Sequence, residues 1–141
     1  MAGGCIFCDI ISGRLPAVKL YEDSYVVVFL DTYPASPGHA LVVPKHHAES
    51  LEDLPEAYRS RLLSTVAKVA PAILRAVGGE AYNVLINNGR PAGQEIMHVH
   101  LHVVPRRTGD GCVTLYCRRT KPGWEELKAL GERIRAAMRS S

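Results

Sequence analysis

The sequence predicts an α+β fold, in which a five-stranded antiparallel sheet carries one main helix and is followed by a C-terminal helix. Five short segments are rich in β-branched residues, two longer segments have helical periodicity, and no repeat or change of composition divides the 141 residues. The chain is 47% hydrophobic, which is enough for one core. We therefore predict a single domain over residues 1–141, with its core at about 5–106 and a C-terminal extension over 107–141.

The predicted elements are separated by turn residues. A short helix opens the chain at Cys5 and stops at Gly13. The predicted strands are residues 18–22, 25–30, 39–44, 80–87 and a last segment that runs through His98, His100 and His102 to Pro105.

The main helical region is predicted over residues 50–77, where apolar residues recur at helical spacing before Gly78. Pro55 suits a first turn. Pro71 lies in mid-pattern and is expected to kink or split the helix after Ala70. A last helix is predicted from Gly123 onward, and its apolar side carries Trp124, Leu127, Leu130, Ile134 and Met138.

Residues 94–105 hold the most unusual pattern of the chain. Three of the six histidines, His98, His100 and His102, alternate there with aliphatic residues. In an extended strand alternate side chains share a face, so the imidazoles form one row and the aliphatic side chains point to the other face. A strand whose polar face merely happens to hold histidine is the alternative, but three aligned imidazoles are an unusual way to meet solvent.

The loop over residues 87–94 leads directly into this row and is rich in turn formers. Gly89 and Gly93 would let a ligand approach the backbone, and free amides there could form an anion-binding concavity. Most glycine-containing loops are plain turns. Joined to three histidines, this loop is predicted to hold a phosphate against an imidazole.

Cys5 and Cys8 are spaced so that two thiolates can reach one metal ion. This spacing alone leaves a redox pair or inert thiols equally open. The other two cysteines, Cys112 and Cys117, are expected to be ordinary thiols.

Composition excludes several classes of partner. A net charge of +3 without clustering gives no reason to expect a nucleic-acid partner. The first residues lack the pattern of a signal peptide, and the longest apolar runs, such as residues 26–30, are too short to span a bilayer. We therefore expect no membrane partner and a cytoplasmic location, where the Cys5/Cys8 spacing suits a metal better than a disulfide.

At residues 92–94 (Ala-Gly-Gln) and 98–106 (His-Val-His-Leu-His-Val-Val-Pro-Arg) the chain resembles the histidine triad (HIT) family. The resemblance extends from Cys5 to about residue 106. Within this family the chain is similar above all to the zinc-containing prokaryotic branch, close to the Hint and Fhit nucleotide hydrolases.

The resemblance implies a role for particular residues. His100 would be the nucleophile, His102 would bind phosphoryl oxygens, and His39 would be a supporting hydrogen-bond partner. A structural zinc ion would be held by Cys5, Cys8, His47 and His98. His47 is chosen over His46 because the family places this ligand three residues after a proline, here Pro44.

The resemblance also implies a nucleotide site, with Asp31 accepting the ribose hydroxyls. The residues expected at that site are Ile6, Phe7, Ile10, Leu15, Leu30, Asp31, Thr32, Asn87, Gly93, Gln94, Glu95, His100 and His102. From the residues alone the apolar ones would be core, and an aspartate at a strand end would be a turn starter.

The implied activity is release of a nucleoside 5′-monophosphate of the AMP type, a purine nucleotide, from phosphoramidates or dinucleoside polyphosphates through a nucleotidyl-histidine. A homodimer formed near residues 60–90 is implied as well. This chain departs from the pattern of the Hint branch at Glu95, where that branch has a serine that helps protonate an amine leaving group. Transfer of the nucleotide to a phosphorylated acceptor, or non-catalytic nucleotide sensing, are the alternatives.

Overall fold

The computed structural model describes residues 4–112 and 119–139, so Cys117 lies outside the described residues. It confirms the α+β class, because five antiparallel strands form one sheet in the order β1-β2-β3-β5-β4. The strands are β1 (Lys19–Glu22), β2 (Val26–Leu30), β3 (Ala40–Pro44), β4 (Ala81–Leu85) and β5 (Leu101–Arg106). The helices are α1 (Ile6–Ile11), α2 (Glu56–Arg59), α3 (Leu62–Val77) and α4 (Trp124–Arg139).

The centre of the sheet is buried on both faces. Every residue of β3 and all but the last of β2 are buried, and such continuous Val-rich runs are typical of strands that are covered on both sides. One face, with Val26 and Val28, packs in the core that includes α3. The opposite face, with Val27 and Phe29, packs against α1. His100, which contacts Phe7, and His102, which is opposite Leu41, lie on this second face.

Helix α3 confirms the predicted apolar stripe, since Leu62, Val66, Val69 and Ile73 are all buried. Two details of the helix prediction were wrong. The segment from residue 50 is not continuous with α3, because α2 forms a separate short turn after Pro55. Pro71 does not split α3, which is one helix through this position, so the expected split was wrong and the expected kink stays a prediction.

Pro71 is tolerated because it lies on the exposed side of α3. The hydrogen bond that its missing N–H would have made to the carbonyl of Ala67 can be replaced there by water, which lowers the cost of an interior proline. The helix ends as predicted at Gly78, whose φ of 71° is in the left-handed region.

The predicted histidine strand is shorter than expected. Strand β5 begins at Leu101, so only His102 lies within it. Its pairing with β3 starts at Leu101, and further back the Val99 N–H donates to the Ala48 carbonyl at 2.8 Å instead. The alternation itself is confirmed, because Val99, Leu101 and Val103 all lie in the core that contains α3.

Helix α4 forms where it was predicted, but its apolar side is not covered by the described residues. The side chains are exposed to between 44% and 71%: Trp124, Leu127, Leu130, Ile134 and Met138. Among the helices that the structure describes, none combines the length and the apolar character needed to cross a membrane.

Candidate active site and metal centre

A cavity of about 370 Å³ lies beside α1, the end of β2 and the loop that leads to the histidines. Its wall includes every residue predicted to bind a nucleotide except one: Ile6, Phe7, Ile10, Leu30, Asp31, Thr32, Asn87, Gly93, Gln94, Glu95, His100 and His102. Leu15 is the exception. It is 41% exposed and does not line the cavity, so its assignment to the pocket wall is corrected.

Six further residues line the cavity that the sequence did not single out: Pro16, Ala17, Phe29, Tyr33, Leu41 and Ile96. Phe29 and Leu41 are opposite one another in the β2–β3 ladder, and Leu41 is opposite His102 in the β3–β5 ladder. Residues that are opposite each other share a face of the sheet. The strand register would therefore have revealed both of them, but the sequence gives no register.

The backbone decides which nitrogen of His100 is available. Nδ1 of His100 lies 2.7 Å from the carbonyl oxygen of His98, which can only accept a hydrogen bond, so Nδ1 carries the proton. Nε2 then keeps its lone pair. The ring is only 8% exposed and meets the Phe7 ring edge-on, with centroids 4.9 Å apart. His100 is therefore a fixed, neutral imidazole at the cavity wall.

His102 is joined to His39, which precedes β3. Nε2 of His39 lies 2.9 Å from Nδ1 of His102, and Nδ1 of His39 accepts the Ala35 N–H at 3.0 Å. The carboxylate of Asp31 lies 3.6 Å from the same Nε2 of His39. The predicted hydrogen-bond partnership between His39 and the histidine row is thus present.

Burial governs the protonation of these imidazoles. Desolvation lowers the pKa of His39 and of His100, and the nearby Asp31 carboxylate opposes it in both. Desolvation, with repulsion from His100 and His39, lowers the pKa of His102 from 6.5 to about 4. All three rings are therefore neutral near pH 7.

A second cluster fits a metal ion. Cys5, Cys8, His47 and His98 offer four ligand atoms that all lie within 4.8 Å of one another. Nδ1 of His98 is 3.4 Å and 3.7 Å from the two sulfurs and 3.2 Å from Nδ1 of His47. Two sulfurs and two imidazole nitrogens are a common donor set of structural zinc sites.

Two observations support this fit. His98 directs its Nε2 to the Pro44 carbonyl at 2.8 Å, so Nε2 is protonated and Nδ1 presents a lone pair to the cluster. Desolvation and the neighbouring Cys5 raise the pKa of the Cys8 thiol to about 11. Two adjacent thiols therefore do not ionise together unless a cation joins them. His46, next to His47, packs against the Tyr58 ring instead.

The HIT domain model matches residues 12–109 of the chain. The chain belongs to the histidine triad (HIT) family. The fission-yeast adenosine 5′-monophosphoramidase hnt1 is 42% identical over 137 residues, which cover 92% of this chain and 95% of that protein.

Solved structures show the same HIT fold. A histidine triad nucleotide-binding protein from Candida albicans has a TM-score of 0.88 at 34% identity, covering 97% of this chain and 99% of that one. A zinc-bound HIT protein from Mycobacterium smegmatis has a TM-score of 0.75 at 36% identity, covering 95% and 97%.

The glycine loop of this HIT protein differs from the predicted phosphate cradle. The amides of Ala92, Gly93 and Gln94 donate to carbonyl oxygens within the loop, at 2.9–3.2 Å. They are not free, so the prediction of open amides near Gly93 was wrong for these three. Gly93 is still required there, because its φ of 102° is left-handed. The buried Gln94 side chain braces the loop by accepting the Gly89 N–H at 2.8 Å.

Asp31 acts as a turn former in this HIT protein, as the sequence alone suggested. Its Oδ1 accepts the Tyr33 N–H at 2.8 Å. The second carboxylate oxygen, Oδ2, lies 3.6 Å from Nε2 of His39. Asp31 also lines the cavity, so a ligand hydroxyl can approach the carboxylate without disturbing the turn.

Proposed function

We propose that this HIT protein is a nucleotide hydrolase that releases a nucleoside 5′-monophosphate, AMP in the first instance, through a covalent nucleotidyl-His100 intermediate. The observation that carries the proposal is the fixed tautomer of His100. Its Nδ1 is engaged by the His98 carbonyl, which leaves the lone pair of Nε2 for the cavity. The fission-yeast relative, named as an adenosine 5′-monophosphoramidase, supports the choice of substrate.

The reaction takes two steps. In the first, the Nε2 lone pair of His100 attacks the α-phosphorus, and the bond to the leaving group breaks. The leaving group departs with that electron pair and takes one proton from the solvent. In the second, a water oxygen attacks the phosphorus, the water returns one proton to the solvent, and the P–N bond breaks. Its electron pair returns to Nε2, so that AMP and neutral His100 are regenerated.

The other residues of the cavity bind and orient the substrate. His102 donates a hydrogen bond to the phosphoryl oxygens, where negative charge increases in the transition state, and Asn87 assists from the loop. Asp31 accepts the ribose hydroxyls. The base packs between the apolar side chains of Ile6 and Phe7, both on α1.

The charge of the cavity favours phosphoramidates over dinucleoside polyphosphates. Asp31 and Glu95 line it, and no lysine or arginine does so among the described residues. A polyphosphate leaving group brings several negative charges that no side chain of the wall neutralises, and Glu95 repels them. An amine leaving group brings none. We propose that Glu95 accommodates such an amine in place of the family's serine.

We propose zinc as the metal of the Cys5, Cys8, His47 and His98 cluster, in a structural role. A zinc ion with four protein ligands has no open position for water, so it joins α1 to the histidine segment without activating a nucleophile. Cys5, Cys8 and Cys112 form no disulfide among the described residues. Cysteines kept out of disulfides suit a reducing compartment, and we propose the cytoplasm.

We also propose a homodimer that covers the β4 edge of the sheet. Strand β4 is the last in the strand order, and Tyr82 and Leu85 on it are 38% and 39% exposed. Leu63 on the adjacent α3 is 67% exposed. An edge with apolar side chains that the described residues leave uncovered is a common association surface, and a second copy would bury it.

Trapping the intermediate tests the hydrolase proposal. Protein mixed with an adenosine 5′-phosphoramidate and quenched within milliseconds should gain the mass of one adenylyl group, located on the peptide that contains His100. The His100→Ala protein should gain none. Hydrolysis with no adduct on His100 would contradict the covalent mechanism. Binding of AMP without hydrolysis would favour the sensor, and adenylyl transfer to a phosphorylated acceptor faster than to water would favour the transferase.

A further inference from the structure

Asp31, His39 and His102 form a second group of side chains with metal-ligating atoms. One carboxylate oxygen and two ring nitrogens lie within 4.8 Å of one another, which is also close enough for a metal ion. The same atoms could instead form a chain of hydrogen bonds. The two possibilities differ in the protonation of the ring nitrogens. A nitrogen that binds a metal carries no proton, whereas a nitrogen that donates a hydrogen bond carries one.

The backbone amide of Ala35 decides between them. Its N–H donates to Nδ1 of His39 at 3.0 Å, so Nδ1 is the unprotonated nitrogen of that ring. A neutral imidazole carries one proton, and in His39 it must therefore be on Nε2. Nε2 is the atom that faces Asp31 and His102. A protonated Nε2 is a hydrogen-bond donor and not a metal ligand.

The same reasoning extends to His102. The proton on Nε2 of His39 is donated to Nδ1 of His102 across 2.9 Å, so Nδ1 of His102 is an acceptor. Burial keeps His102 neutral near pH 7, since its pKa is lowered to about 4. A neutral ring has only one N–H, and here it is Nε2–H. The position of that single proton determines whether His102 can donate to a phosphoryl oxygen.

We propose that His39 is a positioning residue. The Ala35 N–H fixes the tautomer of His39, and His39 in turn fixes the tautomer of His102, so that the Nε2–H of His102 is presented to the phosphoryl oxygens. Asp31, His39 and His102 therefore do not form a metal site. The catalytic consequence of this proposal rests on the proposed function. Its structural part, the tautomer of His102, holds without a substrate.

The Ala35 amide is held in place by contacts of the loop residues that follow it. The Ser36 hydroxyl donates to the Pro105 carbonyl at 2.7 Å, and the Ser36 carbonyl accepts the His39 N–H at 3.0 Å. Gly38 has a φ of 90°, and a Cβ there would lie 3.0 Å from the side chains of Ile73 and Val77. The loop therefore cannot shift easily, and the Ala35 donor is preorganised.

One rule accounts for the protonation of three histidines at this site. A carbonyl oxygen holds the proton of His98 and of His100 on the far side of the ring, which leaves a lone pair for the metal cluster and for the phosphorus. An amide N–H starts the chain that ends at His102, which leaves a proton for the phosphoryl oxygens. Each ring therefore presents the same character as the backbone group that fixes it: an acceptor lone pair where that group is a carbonyl, and a donor N–H where it is an amide.

Long-range ¹H–¹⁵N spectra of the zinc-loaded protein at neutral pH, without substrate, test the tautomer directly. His102 is identified by comparison with His102→Gln. The expected spectrum has an unprotonated Nδ1 and a protonated Nε2. His102 protonated on Nδ1 would overturn the proposal.

Variants of His39 test the relay. His39→Leu should allow His102 to populate both tautomers, whereas His39→Gln, whose amide nitrogen can donate to the same Nδ1, should keep the original one. The kcat of His39→Leu should fall about 100-fold with a small change in KM, and His39→Gln should recover most of it. An unchanged tautomer in His39→Leu, or equal losses of kcat in both variants, would show a merely structural role.

Two further measurements complete the test. If His39→Leu does not fold, Ala35→Pro removes the amide donor while retaining His39, and it should also mix the tautomers of His102. A titration of metal-free protein with zinc should saturate at one equivalent, and a second equivalent that Asp31→Asn abolishes would overturn the proposal. The predicted tautomer in a protein that hydrolyses no nucleotide would defeat the proposed function alone.

Discussion

The carbonyl oxygen of His98 lies 2.7 Å from Nδ1 of His100, and this contact joins the metal cluster to the proposed nucleophile. His98 presents its own Nδ1 to the two cysteine sulfurs, while its backbone orients the ring two residues later. The position of the His98 backbone therefore determines where the His100 lone pair points.

Replacing His100 by alanine should abolish turnover while retaining nucleotide binding. The change removes the attacking nitrogen but leaves Asp31 and the apolar wall, so turnover should fall at least ~1000-fold, as when a covalent nucleophile is deleted. Hydrolysis of an adenosine 5′-phosphoramidate and calorimetric binding of AMP measure the two effects. His46→Ala is the matched control, because His46 is exposed and does not line the cavity. Parent-like hydrolysis by His100→Ala would refute its role.

Replacing Cys8 by serine should remove the metal. Elemental analysis of the parent should find one zinc per chain, and Cys8→Ser should retain a small fraction of it, because a hydroxyl is a much poorer zinc ligand than a thiolate. The melting temperature should fall more than the turnover at His100 does, since the metal joins α1 to the histidine segment. Cys112→Ser is the control and should keep its zinc. Unchanged zinc content in Cys8→Ser would remove the assignment.

Acid should destabilise the fold between about pH 6.5 and pH 4. The folded state holds the pKa of His102 at about 4, against 6.5 when it is free, so the unfolded chain binds more protons in this window. The stabilisation is complete above pH 6.5 and is lost as the pH falls toward 4. Chemical denaturation over this range should show it as a falling free energy of unfolding. His102→Gln, which cannot titrate, should have a shallower slope, and an identical slope would contradict this origin.

Replacing Glu95 by glutamine should change the preference for the leaving group. The variant lacks one negative charge at the cavity wall, so hydrolysis of diadenosine polyphosphates should rise relative to that of phosphoramidates, by about threefold to tenfold in kcat/KM. Comparing both substrates in the parent and the variant measures the ratio. Glu52→Gln is the control, because Glu52 does not line the cavity and a glutamine keeps the oxygen that accepts from Asn88. A ratio that does not move would show that Glu95 does not face the leaving group.

A charge on the β4 edge should dissociate the proposed dimer. Light scattering at micromolar concentration should give twice the mass of one chain for the parent, and Leu85→Lys should shift it toward one chain, because a buried lysine without a partner opposes association. Leu130→Lys on α4 is the comparison and should leave the mass unchanged. A monomeric parent would disprove the dimer. Dissociation by Leu130→Lys alone would show that the interface lies at α4 and not at the β4 edge.

The sequence could predict those parts of the molecule that depend on periodicity. The buried stripe of α3 and the alternation of the histidine row both follow from which side chains share a face, and both are confirmed. Pro71 could not be judged in the same way. Whether a proline splits a helix depends on whether the unpaired carbonyl is exposed, and that is a property of the packed helix.

The parts of the site that depend on contacts between distant residues could not be predicted. The loop amides near Gly93 are used within the loop, although its composition is that of an open turn. The standard pKa of an imidazole does not hold for His100 or His102, because burial lowers both. Helix α4 has an amphipathic sequence, yet the described residues leave its apolar side exposed.

Helix α1 carries both kinds of binding residue within six positions. Cys5 caps it and Cys8 lies within it, while Ile6, Phe7 and Ile10 form part of the cavity wall. Phe7 contacts the rings of both His98 and His100. An ion in the cluster would hold the helix where a nucleotide needs it, so the two ligands would bind cooperatively. Thermodynamic reciprocity then requires that a bound nucleotide raise the affinity of the cluster for the ion by the same factor. Scarcity of metal in the cell would appear first as weaker capture of dilute nucleotide substrates.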